Sequence, residues 1–180
     1  MFLDGQKLRP YIPTAKARGF TGAVDNRNHV PRGFEVAKGF EDKGVILPVR
    51  STQCSAGYDF YALDNVSLIP HGADVLHTGV KAFMQPDEFL MLVVRSSLGI
   101  KRSIILGGAC SVIDADYYGN ETNDGEILIP LRNLGGTSQR IRKGERIAQG
   151  IFMKYLTCGD EPETVRTGGI GSSDGKEKDG

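Results

Sequence analysis

No segment of this 180-residue chain approaches the roughly 20 consecutive apolar residues of a membrane-spanning helix, and no signal-peptide pattern opens it. Cysteine is scarce. Cys54, Cys110 and Cys158 are an odd number at wide spacing, which argues against a disulfide framework and makes a reducing cytoplasm the expected compartment. Net charge is missing too, because 22 Lys and Arg balance 22 Asp and Glu. No global field favours nucleic acid or an anionic membrane, so neither is expected as a partner. His29, His71 and His77 are scattered and read as structural or surface residues, and no His/Cys/carboxylate cluster has metal-ligand spacing. Beyond the N-terminus no stretch shows a helical period over 11 residues; a short turn at 96–100 is the best helical candidate.

What remains is glycine, 24 residues of it, between short apolar segments. Candidate strands lie at 44–50, 58–62, 66–69, 75–83, 89–94, 103–106, 111–113, 126–133, 139–141 and 146–155. Turn signals such as Pro70-His71-Gly72, Gly107-Gly108, Asn123-Asp124-Gly125 and Lys143-Gly144 separate them. Many short strands at close spacing predict an antiparallel sandwich or barrel. The ends differ from this central domain of 34–158. Residues 1–33 set Lys7, Arg9, Lys16, Arg18, Arg27 and Arg32 against Asp4 and Asp25, without periodicity, and read as a mobile extension. Residues 159–180 hold six glycines and nine charges and read as a flexible arm.

Five blocks carry chemistry. In Ser111-Val112-Ile113-Asp114-Ala115-Asp116-Tyr117-Tyr118-Gly119-Asn120, a carboxylate emerges from an apolar strand onto rigid backbone with limited solvation. That suits a general base or water-orienting group; it equally suits a turn or N-cap Asp beside packing tyrosines. Ala56-Gly57-Tyr58-Asp59 opens a strand after a small-residue turn. Arg95-Ser96-Ser97-Leu98-Gly99 places a guanidinium and two hydroxyls at a helix start, fit for a phosphate or for a plain N-cap. Gly144-Glu145-Arg146-Ile147-Ala148-Gln149 turns into a buried strand. Arg166-Thr167-Gly168-Gly169-Ile170-Gly171-Ser172-Ser173 couples an Arg to a Gly/Ser loop, either an anion-binding nest or a linker.

Taken in order, these five blocks resemble the five motifs of the trimeric dUTPases, the dUTP pyrophosphatases, over about residues 34–175. Residues 95–101, 113–118 and 143–154 look most like the enzymes of Gram-positive bacteria and their phages. The resemblance implies an all-β, jelly-roll-like β-barrel protomer with a flexible C-terminal arm. It also implies a homotrimer with active sites at subunit interfaces, to which one subunit gives the first, second and fourth motifs, a neighbour the third and another subunit's arm the fifth. It casts Asp114 as the residue that activates the attacking water and holds the 3′-OH, with Tyr117 beneath the deoxyribose. The hairpin from Ile105 through Gly107, Gly108 and Ser111 to Ile113 would meet the uracil edge. Arg95, Ser96, Ser97 and Gln149 would contact phosphates. Arg166 would reach the γ-phosphate, with Ile170, Gly171 and Ser172 closing over the nucleotide. Asp59 would stand near the water shell of a Mg²⁺ ion carried by the phosphates, with Arg146 as its ion-pair partner.

Three positions depart from the family pattern. Ile170 stands where a Phe usually stacks on uracil, Arg166 sits one residue nearer to Gly-Ile-Gly, and Ser111 replaces a glycine, with an altered hairpin expected. Two competing readings are a dCTP deaminase-like enzyme, whose chemistry would need a Glu at the base, and a regulatory protein-binding module of the phage dUTPase kind. The polar loop Asn120-Glu121-Thr122-Asn123-Asp124-Gly125 is the feature that would serve the latter.

Overall fold

The computed structural model describes residues 31–159. The expectations for Arg166, Ile170, Gly171 and Ser172, and for His29, fall outside those residues. The described chain runs β1 (Gly33–Val36), β2 (Val49–Arg50), β3 (Tyr58–Tyr61), β4 (Val66–Leu68), β5 (Ala73–Leu76), β6 (Val80–Phe83) and β7 (Glu88–Val94). Then come α1 (Ser96–Arg102), β8 (Ile104–Leu106), β9 (Ser111–Asp114), a 3₁₀ turn (Ala115–Tyr117), β10 (Ile129–Asn133), β11 (Gln139–Ile141) and β12 (Arg146–Lys154). The all-β class expected from the sequence is present. The barrel, however, is not closed: the strands divide into sheets β2-β3-β12-β7-β9, β5-β10-β8, β1-β6 and β4-β11.

Local chemistry explains the division. The strand expected over 75–83 breaks at 77–79, where Gly79 adopts φ 67° and the Thr78 hydroxyl donates to the Ile127 carbonyl at 2.7 Å. Its two halves, β5 and β6, therefore enter different sheets. The segment expected over 44–50 is strand only at Val49–Arg50, and β1, absent from the sequence reading, pairs with β6. Elsewhere period-two alternation decides. β7 reads Glu-Phe-Leu-Met-Leu-Val-Val and buries Glu88, Leu90 and Leu92. Phe60, Leu90, Leu92 and Ala148 from the five-stranded sheet meet Ile129 and Leu131 of β10 in one core.

Residues 31–33 are already tied to this fold. Glu88, its side chain 4% exposed, receives a bidentate pair of hydrogen bonds from Arg32. The Gln85 backbone N–H also donates to Glu88 at 3.2 Å, and the Gln85 amide donates to the Pro31 carbonyl at 3.0 Å. The Arg32 hydrogen bonds lower the Glu88 carboxyl below its ordinary value; burial opposes them and the Gln85 N–H assists. A carboxylate lowered in this way contributes stability that is present above its unfolded pKa and lost as pH falls through the folded one. Denaturant unfolding of Arg32→Ala is expected to show a loss of about 1–2 kcal/mol at neutral pH, modest because Arg32 is partly exposed. The loss should shrink as pH drops below the ordinary value of 4.5; a pH-independent loss would remove the charge-linked role.

Candidate active site

The register of the five-stranded sheet assembles a polar cluster on its outer face. Asp59 on β3 lies opposite Val49 on β2 and Gln149 on β12, and Gln149 lies opposite Val93 on β7. Residues two apart on a strand share a face, so Ser51, beyond Val49, and Arg95, beyond Val93, project to the same side. Arg146 is three residues from Gln149 and would face the core in a regular strand. A bulge between Arg146 and Ala148 inserts Ile147 and restores the phase, setting Arg146 opposite Tyr61. Gly57 clears the way, since a Cβ there would sit 3.0 Å from the Gln149 Cβ.

Asp59 is 1% exposed, accepts hydrogen bonds from three side chains and forms an ion pair with a fourth, Arg95. The Ser51 hydroxyl and Arg146 (3.2 Å) reach Oδ2; Gln149 (3.1 Å) and Arg95 Nε (3.2 Å) reach Oδ1. Burial pushes its carboxyl upward, but the hydrogen bonds of Ser51 and Gln149, the charge of Arg95 and the hydrogen bond of Arg146 together outweigh it. The net result is a carboxyl below its ordinary range. The structure thus brings Asp59, Arg95, Arg146 and Gln149 together and adds Ser51, which lies outside the five sequence blocks. Ser51 also accepts from Arg146 at 3.1 Å. Only strand register could have revealed it, through its two-residue step from Val49. Ser96 and Ser97 stand exposed in the first turn of α1, just past Arg95, and no side chain among the described residues caps that turn.

Asp114 is at the other end of the same face. It ends β9 opposite Phe89, six residues before Arg95 on the neighbouring strand. At about 3.3 Å per residue, the two backbones are roughly 20 Å apart. Between them runs an apolar row, Val112, Met91 and Ile151, with Val112 54% exposed. Asp114 occupies the N-cap position of the 3₁₀ turn, yet its side chain makes no capping hydrogen bond, so the N-cap alternative is not realised. Tyr117, 5% exposed, donates its hydroxyl to the Glu126 carbonyl at 3.2 Å. Tyr118 instead bonds Glu35, and burial, reinforced by that carboxylate, raises its phenol pKa strongly.

The hairpin shows what each of its residues does. Gly107 donates its N–H to the Pro130 carbonyl at 2.8 Å, and a Cβ there would meet the Pro130 ring at 3.0 Å, so it is a packing glycine. Ile105 is paired with Arg132 and 37% exposed, and Gly108 begins the link to β9. Ser111 lies in extended strand opposite Leu92 and Ile113 opposite Leu90. Ser111 is not among the residues of positive φ, so its backbone carries no left-handed strain there. Of the histidines, His77 pairs with the buried Glu126 at 3.0 Å, and His71 sits in an exposed turn.

Comparisons with known proteins agree with this geometry. A family model described as dUTPase matches residues 43–174. The deoxyuridine 5'-triphosphate nucleotidohydrolase of Lactococcus lactis is 43% identical over 145 residues, covering 79% of this chain and 97% of that protein. The crystal structure of dUTPase from Streptococcus mutans superposes with a TM-score of 0.67 at 36% identity, over 71% of this chain and 99% of that one. A variant dUTPase of phage phi11 of S. aureus, described with a structural Mg(II) ion, shares the fold at a TM-score of 0.61 and 19% identity, over 74% of this chain and 95% of that one. With the family model spanning most of the chain and a relative this similar over nearly its whole length, the protein belongs to the dUTPase family.

Proposed function

We propose that the protein hydrolyses dUTP to dUMP and pyrophosphate by Mg²⁺-dependent in-line attack of water on the α-phosphorus, at sites shared between subunits of a homotrimer. The observation that carries this reading is the separation of Asp114 from Arg95 by the length of β7. A base at one end and the cations at the other cannot grip one triphosphate in a single protomer. Two copies can, if the Asp114 end of one meets the Arg95 end of the next. The row of exposed Val112 and half-buried Met91 and Ile151 supplies an apolar surface for that contact.

In this reading Asp114 accepts the proton of the attacking water and holds the 3′-OH. Arg95, Ser96, Ser97 and Gln149 bind the phosphates and receive the charge that builds on the leaving pyrophosphate. Asp59 and Arg146 hold Arg95 and Gln149 in place. Base-edge contacts fall to 108–110, since Gly107 has already committed its N–H. A ribose 2′-OH pressed on Tyr117 would lose its hydrogen bonds, costing about 1–3 kcal/mol. Arg166 serves the γ-phosphate and Ile170 covers the base.

The donor set is compatible with Mg²⁺. Among the described residues no three His, Cys, Asp or Glu side chains group to hold a metal, and both Asp59 oxygens are claimed by donors. An ion carried by phosphates and waters needs no such cage, and it would supply charge neutralisation on the triphosphate. The regulatory reading draws less support, because the 120–125 loop turns its asparagine side chains inward.

Pyrophosphate release with Mg²⁺ should be rapid for dUTP and slow for dTTP, dCTP and UTP, and Asp114→Asn should lower kcat on dUTP by at least 100-fold. Comparable turnover of dTTP, or an unaffected variant, would overturn the assignment. Co-expressing Asp114→Asn with Arg95→Ala should recover activity that neither variant has alone, because some mixed sites receive both intact residues; no recovery would place the whole site in one protomer. Ile170→Phe should bind a non-hydrolysable dUTP analogue more tightly, by up to about tenfold, because base–aromatic stacking contributes about 1–3 kcal/mol. Equal or weaker binding in calorimetry would dismiss the stacking argument.

A further inference from the structure

The polar loop between Tyr118 and Glu126 has no part in the chemistry above, yet it is the most densely hydrogen-bonded segment near the proposed sugar site. Asn123 directs both amide hydrogens at one place: Nδ2 donates to the Tyr117 hydroxyl at 3.0 Å and to the Glu126 carbonyl at 3.0 Å. The Tyr117 hydroxyl donates to that same carbonyl, closing a three-membered ring of hydrogen bonds. Asn123 is itself held. Its Oδ1 accepts from Asn120 Nδ2 at 2.8 Å and from the Gly125 N–H at 3.2 Å. Asn120 also donates to the Tyr117 carbonyl at 2.9 Å, so both ends of the tyrosine are gripped.

The backbone is shaped for this grip. Gly125 has φ 84°, and a Cβ there would lie 2.8 Å from the Tyr117 carbonyl oxygen, so the loop can return across the tyrosine only with glycine. Asp124, also at positive φ, is pinned by Lys81 Nζ at 2.7 Å and by the Lys38 N–H at 2.8 Å. Asn120, Asn123, Asp124 and Gly125 thus hold one phenol in position.

We propose that Asn123 is a positioning residue for Tyr117 and sets the enzyme's discrimination between deoxyribo- and ribonucleoside triphosphates. The inference rests on the proposed dUTP hydrolysis and on Tyr117 as the wall against the 2′ position. One hydroxyl separates the two substrates, so the wall works only if the ring cannot yield. Asparagine suits the task because it presents two donors and one acceptor on a short stem. Aspartate lacks the donors, and glutamine is a methylene longer.

The test is the ratio of kcat/KM for dUTP over UTP, by pyrophosphate release. Asn123→Ala should lower the ratio about tenfold, chiefly by improving UTP, with a smaller rise in KM for dUTP. Tyr117→Phe, which keeps the ring and removes only the hydroxyl, should lower it similarly, and the double variant should lower it no further. Glu121→Gln, in the same loop, should leave it unchanged. A merely structural role would depress both substrates in parallel and hold the ratio constant, which would overturn the proposal. An unchanged ratio in Tyr117→Phe would overturn it even if Asn123→Ala failed to fold, as would an equal drop in Glu121→Gln. Should the wild-type protein not hydrolyse dUTP, the functional reading fails; should it discriminate well while these variants keep its ratio, this inference alone fails.

Discussion

A carboxylate removed from water organises the polar cluster at the Arg95 end of the five-stranded sheet. Burying an ionised Asp costs several kcal/mol unless donors replace the lost hydration. Asp59 meets that demand with four side chains drawn from β2, β12 and the end of β7. The consequence matters more than the local balance. Two guanidiniums and an amide are held at fixed positions, so that in the proposed mechanism little reorganisation would remain when charge develops on a leaving group. Any one of these side chains could have been placed by packing; setting all of them around one point required a common acceptor. The bulge at Ile147 belongs to the same solution, because without it Arg146 would point into the core.

The second constraint is length. β7 is seven residues long and carries the cationic cluster just beyond one end, while Asp114 is paired at the other. No side chain spans that distance. In the proposed reading the sheet carries two half-sites on one face with a row of apolar residues between, and a single protomer would not bring them together. In the proposed assembly the apolar row becomes contact surface, so the feature that parts the half-sites also joins the copies that complete them. Catalysis and oligomerisation would then be inseparable, and dilution would remove activity without any unfolding.

Much of this was legible in the chain itself. Short apolar segments between turn signals located most strands within a residue or two, including the segment at 89–94 and the one at 111–113 that leads into Asp114. The order of five short blocks pointed to the family. What the sequence could not display was register. Ser51 joins the cluster because Val49 happens to oppose Asp59, and neither residue signals that pairing. Gly107 looks like a turn glycine but is needed for packing against Pro130, a residue 23 positions away in sequence and a neighbour only in space. The break at 77–79 left only a short polar mark, His77-Thr78-Gly79 between Val75-Leu76 and Val80, and what the sequence did not display is that the threonine hydroxyl and the glycine redirect the backbone there. The 120–125 loop read as a polar surface insertion because its asparagines look solvated until their partners are known.

The two ends of the proposed site face different demands, which bears on why each can be built within one chain while the meeting of the two is left to the contact between chains. Attraction between charges falls slowly with distance, so a phosphate displaced by half an ångström loses little of its binding. Such a subsite tolerates assembly across an interface and can be completed by an arm. Telling one sugar from another is a steric decision over a single oxygen atom, and contact repulsion changes over a few tenths of an ångström. A wall for that purpose has to be rigid within its own protomer. Asn120 and Asn123, which hold Tyr117 at its carbonyl and its hydroxyl, belong to the same chain and the same loop. In the proposed assembly precision is thus kept local, and what is left to the meeting of subunits is charge attraction, which can bear some slack.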